Sequence, residues 1–152
     1  MWPELLLAGM LATQTAGTHA GGLRYLALGD SYTIGEGVDP AGRWPVQLAT
    51  ALRGEGIPLR DPRIIATTGW TTDELSSAID AAEPLGHWDL VTLLIGVNNQ
   101  YRGRSVADYK SEFTRLLEVK YGNRHLDLIV SSDDAALEFL LKHHDALFHG
   151  VP

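Results

Sequence analysis

Three short stretches carry the residue types that acyl transfer needs. Ser31 lies in Gly29-Asp30-Ser31-Tyr32-Thr33-Ile34-Gly35, Gly69 in Thr68-Gly69-Trp70, and Asn98 in Gly96-Val97-Asn98-Asn99-Gln100. A serine on a strand-to-helix turn exposes its hydroxyl as a nucleophile. Backbone N–H groups and a side-chain amide beside it can point at a developing oxyanion. Each stretch alone is ordinary, because a lone Gly-Asp-Ser is usually a turn and a lone glycine after a strand only relieves the backbone. Neighbouring glycines do not make this a phosphate loop, since no Lys-Ser/Thr pair follows Gly29–Gly37. Nor is it a Gly-x-Ser-x-Gly elbow, since Thr33 stands where the closing glycine would be.

The elements around these stretches decide whether they can meet. Leu23–Leu28 reads as a buried strand and Arg63–Thr67 as a second. Asp89–Ile95 is apolar nearly throughout, the pattern of a parallel strand covered on both faces. Trp44–Glu55 reads as a helix with Pro45 in its first turn and Leu48 and Leu52 on one face. Thr71-x-x-Glu74 is a capping box opening a helix through Leu75 and Ile79. Ser105 caps a helix whose core face is Tyr109, Phe113, Leu116 and Leu117. Leu126–Val130 reads as a fourth strand and Asp133–Leu147 as a last helix. Strand and helix alternating four times predict an α/β fold, a doubly wound parallel sheet. Ligands of such sheets bind outside the carboxyl ends of the strands. All three stretches fall there, at consecutive strand exits.

Composition narrows the function. At 152 residues, the chain suits one domain, here residues 23–152 behind a leader or disordered extension, 1–22. A net charge of −7 gives no basic stripe, so no nucleic-acid partner is expected. The absence of cysteine removes disulfides and thiolate catalysis. The apolar run Leu5–Ala12 is too short for a membrane span. Thr18-His19-Ala20 imitates a cleavage site, but Glu4 replaces a positive n-region and no Lys or Arg precedes Arg24. A cytoplasmic location is therefore expected, with secretion or the periplasm as the alternative if residues 1–20 are a signal peptide. Oligomeric state leaves no mark on the sequence.

GDSYT resembles block I of the GDSL, or SGNH, hydrolases, Gly69 their block II glycine, and Gly96-Val97-Asn98-Asn99 their block III, with Asn99 where Asp is commoner. The resemblance covers about residues 23–118. It implies a flavodoxin-like three-layer hydrolase fold and cleavage of small-molecule esters or thioesters without a cofactor. It makes Ser31 the nucleophile, with an oxyanion hole of the Ser31 and Gly69 N–H groups and the Asn98 amide. Asp30 and Asn99 fall to supporting roles, Asp30 holding the turn. Tyr32, Trp70, Tyr101 and Arg102 flank the motifs and border the pocket.

The family places its base in a late Asp-x-x-His block, which this sequence lacks; Asp145-Ala-Leu-Phe-His149 has one residue too many. His19, His87 and His125 precede strands and should lie at the opposite end of the sheet from Ser31. His143, His144 and His149 end a helix that leaves the catalytic edge, and ten helical residues travel roughly 15 Å. No histidine pair has metal-ligand spacing, so no metal site is expected. Asp133-Asp134 emerges at the catalytic edge, where capping the last helix is its default role. From about Val119 the chain departs from the family pattern, and Lys120–Pro152 is similar to a fragment of a periplasmic substrate-binding-like sensor domain. The expected sheet thus has four strands and lacks the last strand–helix unit. The readings left open are an esterase impaired by its missing base, a non-catalytic acyl- or carbohydrate-binding relic, and a truncated or fused fragment.

Overall fold

The computed structural model describes residues 21–121 together with 141–143 and 145. Among the described residues the sheet has three parallel strands: β1 (Tyr25–Gly29), β2 (Arg63–Ala66) and β3 (Leu90–Leu94), in the order β2-β1-β3. β1 is central, with Leu28 opposite Ile65 on one side and opposite Leu93 on the other. The helices are α1 (Ser31–Ile34), α2 (Trp44–Gly54), α3 (Thr72–Ala81), α4 (Val97–Tyr101) and α5 (Val106–Tyr121), with one 3-10 turn at Pro40–Gly42.

Strand alternation sorts the core into two halves. Leu26 and Leu28 pack with Leu75 and Ile79 of α3 and Leu116 and Leu117 of α5. Tyr25 and Ala27 point the other way, onto Ala49, Leu48 and Leu52 of α2. Helices therefore cover both faces, making three layers. Right-handed crossovers require this arrangement: the chain moves one way from β1 to β2 and back across β1 to β3, so successive helices fall on opposite faces. The Tyr25 hydroxyl, inside the second half of the core, shares a hydrogen bond with Thr92 Oγ1 at 3.0 Å.

The first three expected strands and the helices at Trp44, Thr72 and Val106 form with ends shifted by a residue or two. Burial differs between the strands. β3 packs on both faces, with Val91 and Leu93 against the first half of the core and Leu90 against the second. But β1 is buried at all five positions, whereas β3 is half-buried and Leu94 is 45% exposed. The cause is position: β1 has a strand on each edge, while β3 is paired on one edge only among the described residues. The expected fourth strand, Leu126–Val130, lies outside the described residues, as do residues 1–20, Asp133, Asp134, His19, His125, His144 and His149. Residues 141–143 and 145, inside the expected last helix, are helical.

The exit of β1 has no room for a side chain. A Cβ at Gly29 would overlap the Thr33 hydroxyl and the Leu94 carbonyl oxygen, both held by neighbouring elements. We predict that Gly29→Ala destabilises the fold by about 1–3 kcal/mol through overpacking, as read by urea denaturation. A stability equal to wild type would mean that the exit is looser than this geometry.

Candidate active site

The nucleophile turn is built by its own neighbours. Asp30 caps α1, its Oδ1 accepting from the Tyr32 N–H at 3.1 Å, and Gly35 closes the turn in the left-handed conformation with its N–H on the Ser31 carbonyl. The sequence suggested only a turn after β1. The single helical turn follows from an Asp at its start and a glycine at its end. Ser31 is the first residue of α1 and is half-buried, while Asp30 and Thr33 are buried.

Asn98 joins the three sequence stretches. On α4, it donates from Nδ2 to the Trp70 carbonyl at 2.9 Å and to Asp30 Oδ2 at 3.2 Å. One amide thus bridges the residue before Ser31 and the residue after Gly69. Neither the Ser31 N–H nor the Gly69 N–H has an acceptor among the described residues. Gly69 sits at φ +86°, a backbone state that side chains disfavour, in the turn closed by the Trp70 N–H on the Thr67 carbonyl. The site lies between β1 and β3, where chain direction across the sheet reverses, the usual ligand crevice of this topology.

Asn99 turns away from Ser31 and is buried. Its Oδ1 accepts from both the N–H and the hydroxyl of Thr72 at 3.0 Å, and its Nδ2 donates to Glu112 at 3.1 Å. It thereby ties the start of α3 to α5. The capping box forms as expected, with the Thr71 N–H on Glu74 Oε2 at 2.9 Å. Arg102 reaches from the end of α4 to the Gly69 carbonyl at 2.6 Å and to Glu74 Oε1 at 3.1 Å. Arg104 holds Asp73 and Glu112. On the other side of the loop, the Thr68 hydroxyl bonds to Glu36. Tyr32 and Tyr101, expected at the pocket border, are exposed, Tyr101 at 90%.

Glu36, Arg104 and Glu112 carry no local signal in the sequence, since their partners lie 8 to 32 residues away. The capping-box spacing did mark Glu74, but not its second partner.

Charge follows the same contacts. Burial pushes the Asp30 carboxyl above its ordinary value, opposed by hydrogen bonds from the Tyr32 N–H and the Asn98 amide. For Asp73, burial also pulls upward, but the Thr71 hydroxyl and Arg104 outweigh it and hold the carboxyl low. Glu74 is held low first by the Thr71 N–H and then by Arg102.

Two histidines fall among the described residues. His87 pairs with Asp89 at 3.3 Å, and Asp89 binds the Arg24 N–H just ahead of β1. That is the amino end of the sheet, a five-residue strand or roughly 15 Å from the Ser31 turn. His143 lies beside Lys110, Thr114 and Glu118, on the side of α5 opposite its core residues. No group of three or more histidines and carboxylates gathers as a metal site would among the described residues. No helix among them is long and apolar enough to cross a membrane.

The class of protein is defined by this three-layer sheet with a serine turn, a glycine loop and an asparagine meeting at one edge. The sequence profile of the GDSL-like Lipase/Acylhydrolase family matches residues 27–135, past the 118 reached by the three blocks. The chain belongs to that family. Among solved structures, it is similar to AlinE4, an SGNH-hydrolase family esterase, at 31% identity and a TM-score of 0.56, over 64% of this chain and 52% of that one. TesA matches at 19% identity and a TM-score of 0.61, over 82% and 72% of the two chains. The esterase EstA from Pseudoalteromonas sp., inhibited by monoethylphosphonate, matches at 21% and 0.56, over 63% and 52%. The last two likenesses speak for the fold alone. The chain spans about half the length of AlinE4 and of EstA. No curated protein matches it significantly.

Two stability effects are expected. Asn99→Leu, which orphans the buried Thr72 N–H and hydroxyl, should cost about 1–3 kcal/mol in urea denaturation. Asp73 and Glu74 are held below their ordinary values of 3.8 and 4.5. Their contribution is therefore complete above about pH 4.5 and is lost as pH falls through the lowered values. Arg104→Met should flatten this acid limb of the stability–pH curve. An unchanged limb would show that the Arg104 contacts are not formed in solution.

Proposed function

We propose that the chain is the serine-hydrolase domain of an esterase, with Ser31 as nucleophile on small or acyl esters or thioesters. The observation that carries this reading is the Asn98 amide, which brings the Ser31 turn and the Gly69 loop together beside two unsatisfied N–H groups. In acyl transfer, Ser31 Oγ passes its proton to a base and attacks the ester carbonyl carbon. The carbonyl oxygen becomes an oxyanion, received by the N–H groups of Ser31 and Gly69. Asn98 joins them by sharing one of its amide hydrogens. The tetrahedral intermediate then expels the alcohol or thiol, which takes up that proton, and water later releases the acid and restores Ser31. Asp30 supports the step through the turn and through Asn98 rather than by moving a proton. The esterase name of AlinE4 points to the same chemistry.

Activation of Ser31 requires a proton acceptor, and neither described histidine stands at its turn. Losing the histidine of a serine triad costs on the order of 10⁶ in turnover in subtilisin. At about 1.4 kcal/mol per decade, this is roughly 8 kcal/mol. The second reading, a binding module that keeps the pocket without turnover, rests on the places of the two described histidines, His87 at the amino end of the sheet and His143 beside α5.

Hydrolysis of p-nitrophenyl acetate by the purified chain and its Ser31→Ala variant separates the two. The esterase reading expects turnover that disappears with Ser31, together with Ser31-dependent labelling by an organophosphonate. Equal background rates and no labelling in either protein would remove it.

A further inference from the structure

Glycine's freedom poses a problem at position 69. The residue can reach φ +86° because it has no side chain, and for the same reason nothing intrinsic keeps the peptide planes on either side of it from rotating. Its N–H is unpaired among the described residues, and its carbonyl is held by Arg102 at 2.6 Å. The same guanidinium binds Glu74, whose other carboxylate oxygen is fixed by the Thr71 N–H at the start of α3. The glycine is thereby tied through one planar fork to the end of a helix.

We propose that Arg102 is a positioning residue for acyl transfer: by gripping the Gly69 carbonyl and Glu74 together, it fixes the Gly69–Trp70 peptide plane, which with the Trp70 N–H on the Thr67 carbonyl holds the turn that presents the Gly69 N–H to the oxyanion. This deepens the reading of Ser31 and Gly69 given above and rests on it. The fork matters, because an ammonium is a point donor and does not fix two acceptors in one plane. The Arg102–Glu74 pair is also exposed, 44% and 38% for the two side chains, and surface pairs contribute little to stability. Losing Arg102 should therefore disturb geometry far more than folding.

The test uses the whole chain and a fluorophosphonate probe, with the rate of Ser31 labelling split into probe binding and the bond-forming step. Removing one oxyanion donor costs about 10²–10³ in rate, and a donor left in place but loosely oriented should lose part of that, about 10- to 100-fold. Arg102→Met is expected to show this loss in the bond-forming step, with probe binding and thermal midpoint little changed and Arg102→Lys in between. The backbone amide resonance of Gly69 should shift in Arg102→Met while that of Gly54 stays in place. Wild-type labelling with an unmoved Gly69 resonance would overturn the proposal and leave the hydrolase reading standing. If Arg102→Met fails to fold, Arg102→Lys decides by the same two readouts. Wild-type protein that labels no faster than Ser31→Ala would overturn both.

Discussion

β1 is paired along both edges and covered on both faces, and every part of the candidate site refers back to it. Because β1 is fully buried, its alternation of Tyr25 and Ala27 against Leu26 and Leu28 divides the core and assigns α2 to one side and α3 and α5 to the other. A strand enclosed in this way cannot slip by one residue without turning its whole apolar set around. Its last residue is therefore held in place, and with it the turn that begins at Asp30. Gly29 completes the constraint by allowing Thr33 and the end of β3 to close directly onto the exit.

Polar contacts carry that order outward from the strand ends. Asn98 links β1's turn to the loop after β2, Asn99 links the start of α3 to α5, and the two arginines after α4 close the remaining gaps. Adjacent residues thus do opposite work. Asn98 faces the Ser31 turn, while Asn99 faces the core and the helix ends. The burial of Asn99 is supported because its carbonyl and amide ends both have partners, as a polar group in the interior requires.

Most of the fold could be read from short-range pattern. The Thr71–Glu74 capping box, Pro45 in the first turn of α2, and the Phe113, Leu116 and Leu117 face all report local geometry. Which strand would be most enclosed could not be read, because Asp89–Ile95 and Leu23–Leu28 are similarly apolar and only pairing order separates them. At the site, Ser31, Gly69 and Asn98 were legible because each follows a strand. Arg102 was visible only as a flanking residue, and Glu36, Arg104 and Glu112 not at all, since their roles depend on how separate loops meet.

The hydrogen bond between Asn99 and Glu112 limits what position 99 can hold. That residue must offer a hydrogen to a carboxylate, which an amide can do and an ionised acid cannot. An aspartate there would set a second anion beside Glu112, a repulsion that the Thr72 donors and Arg104 would offset only in part. A change at position 99 is therefore felt first at Glu112 and, through the Arg104 guanidinium that Glu112 shares, at Asp73 at the start of α3.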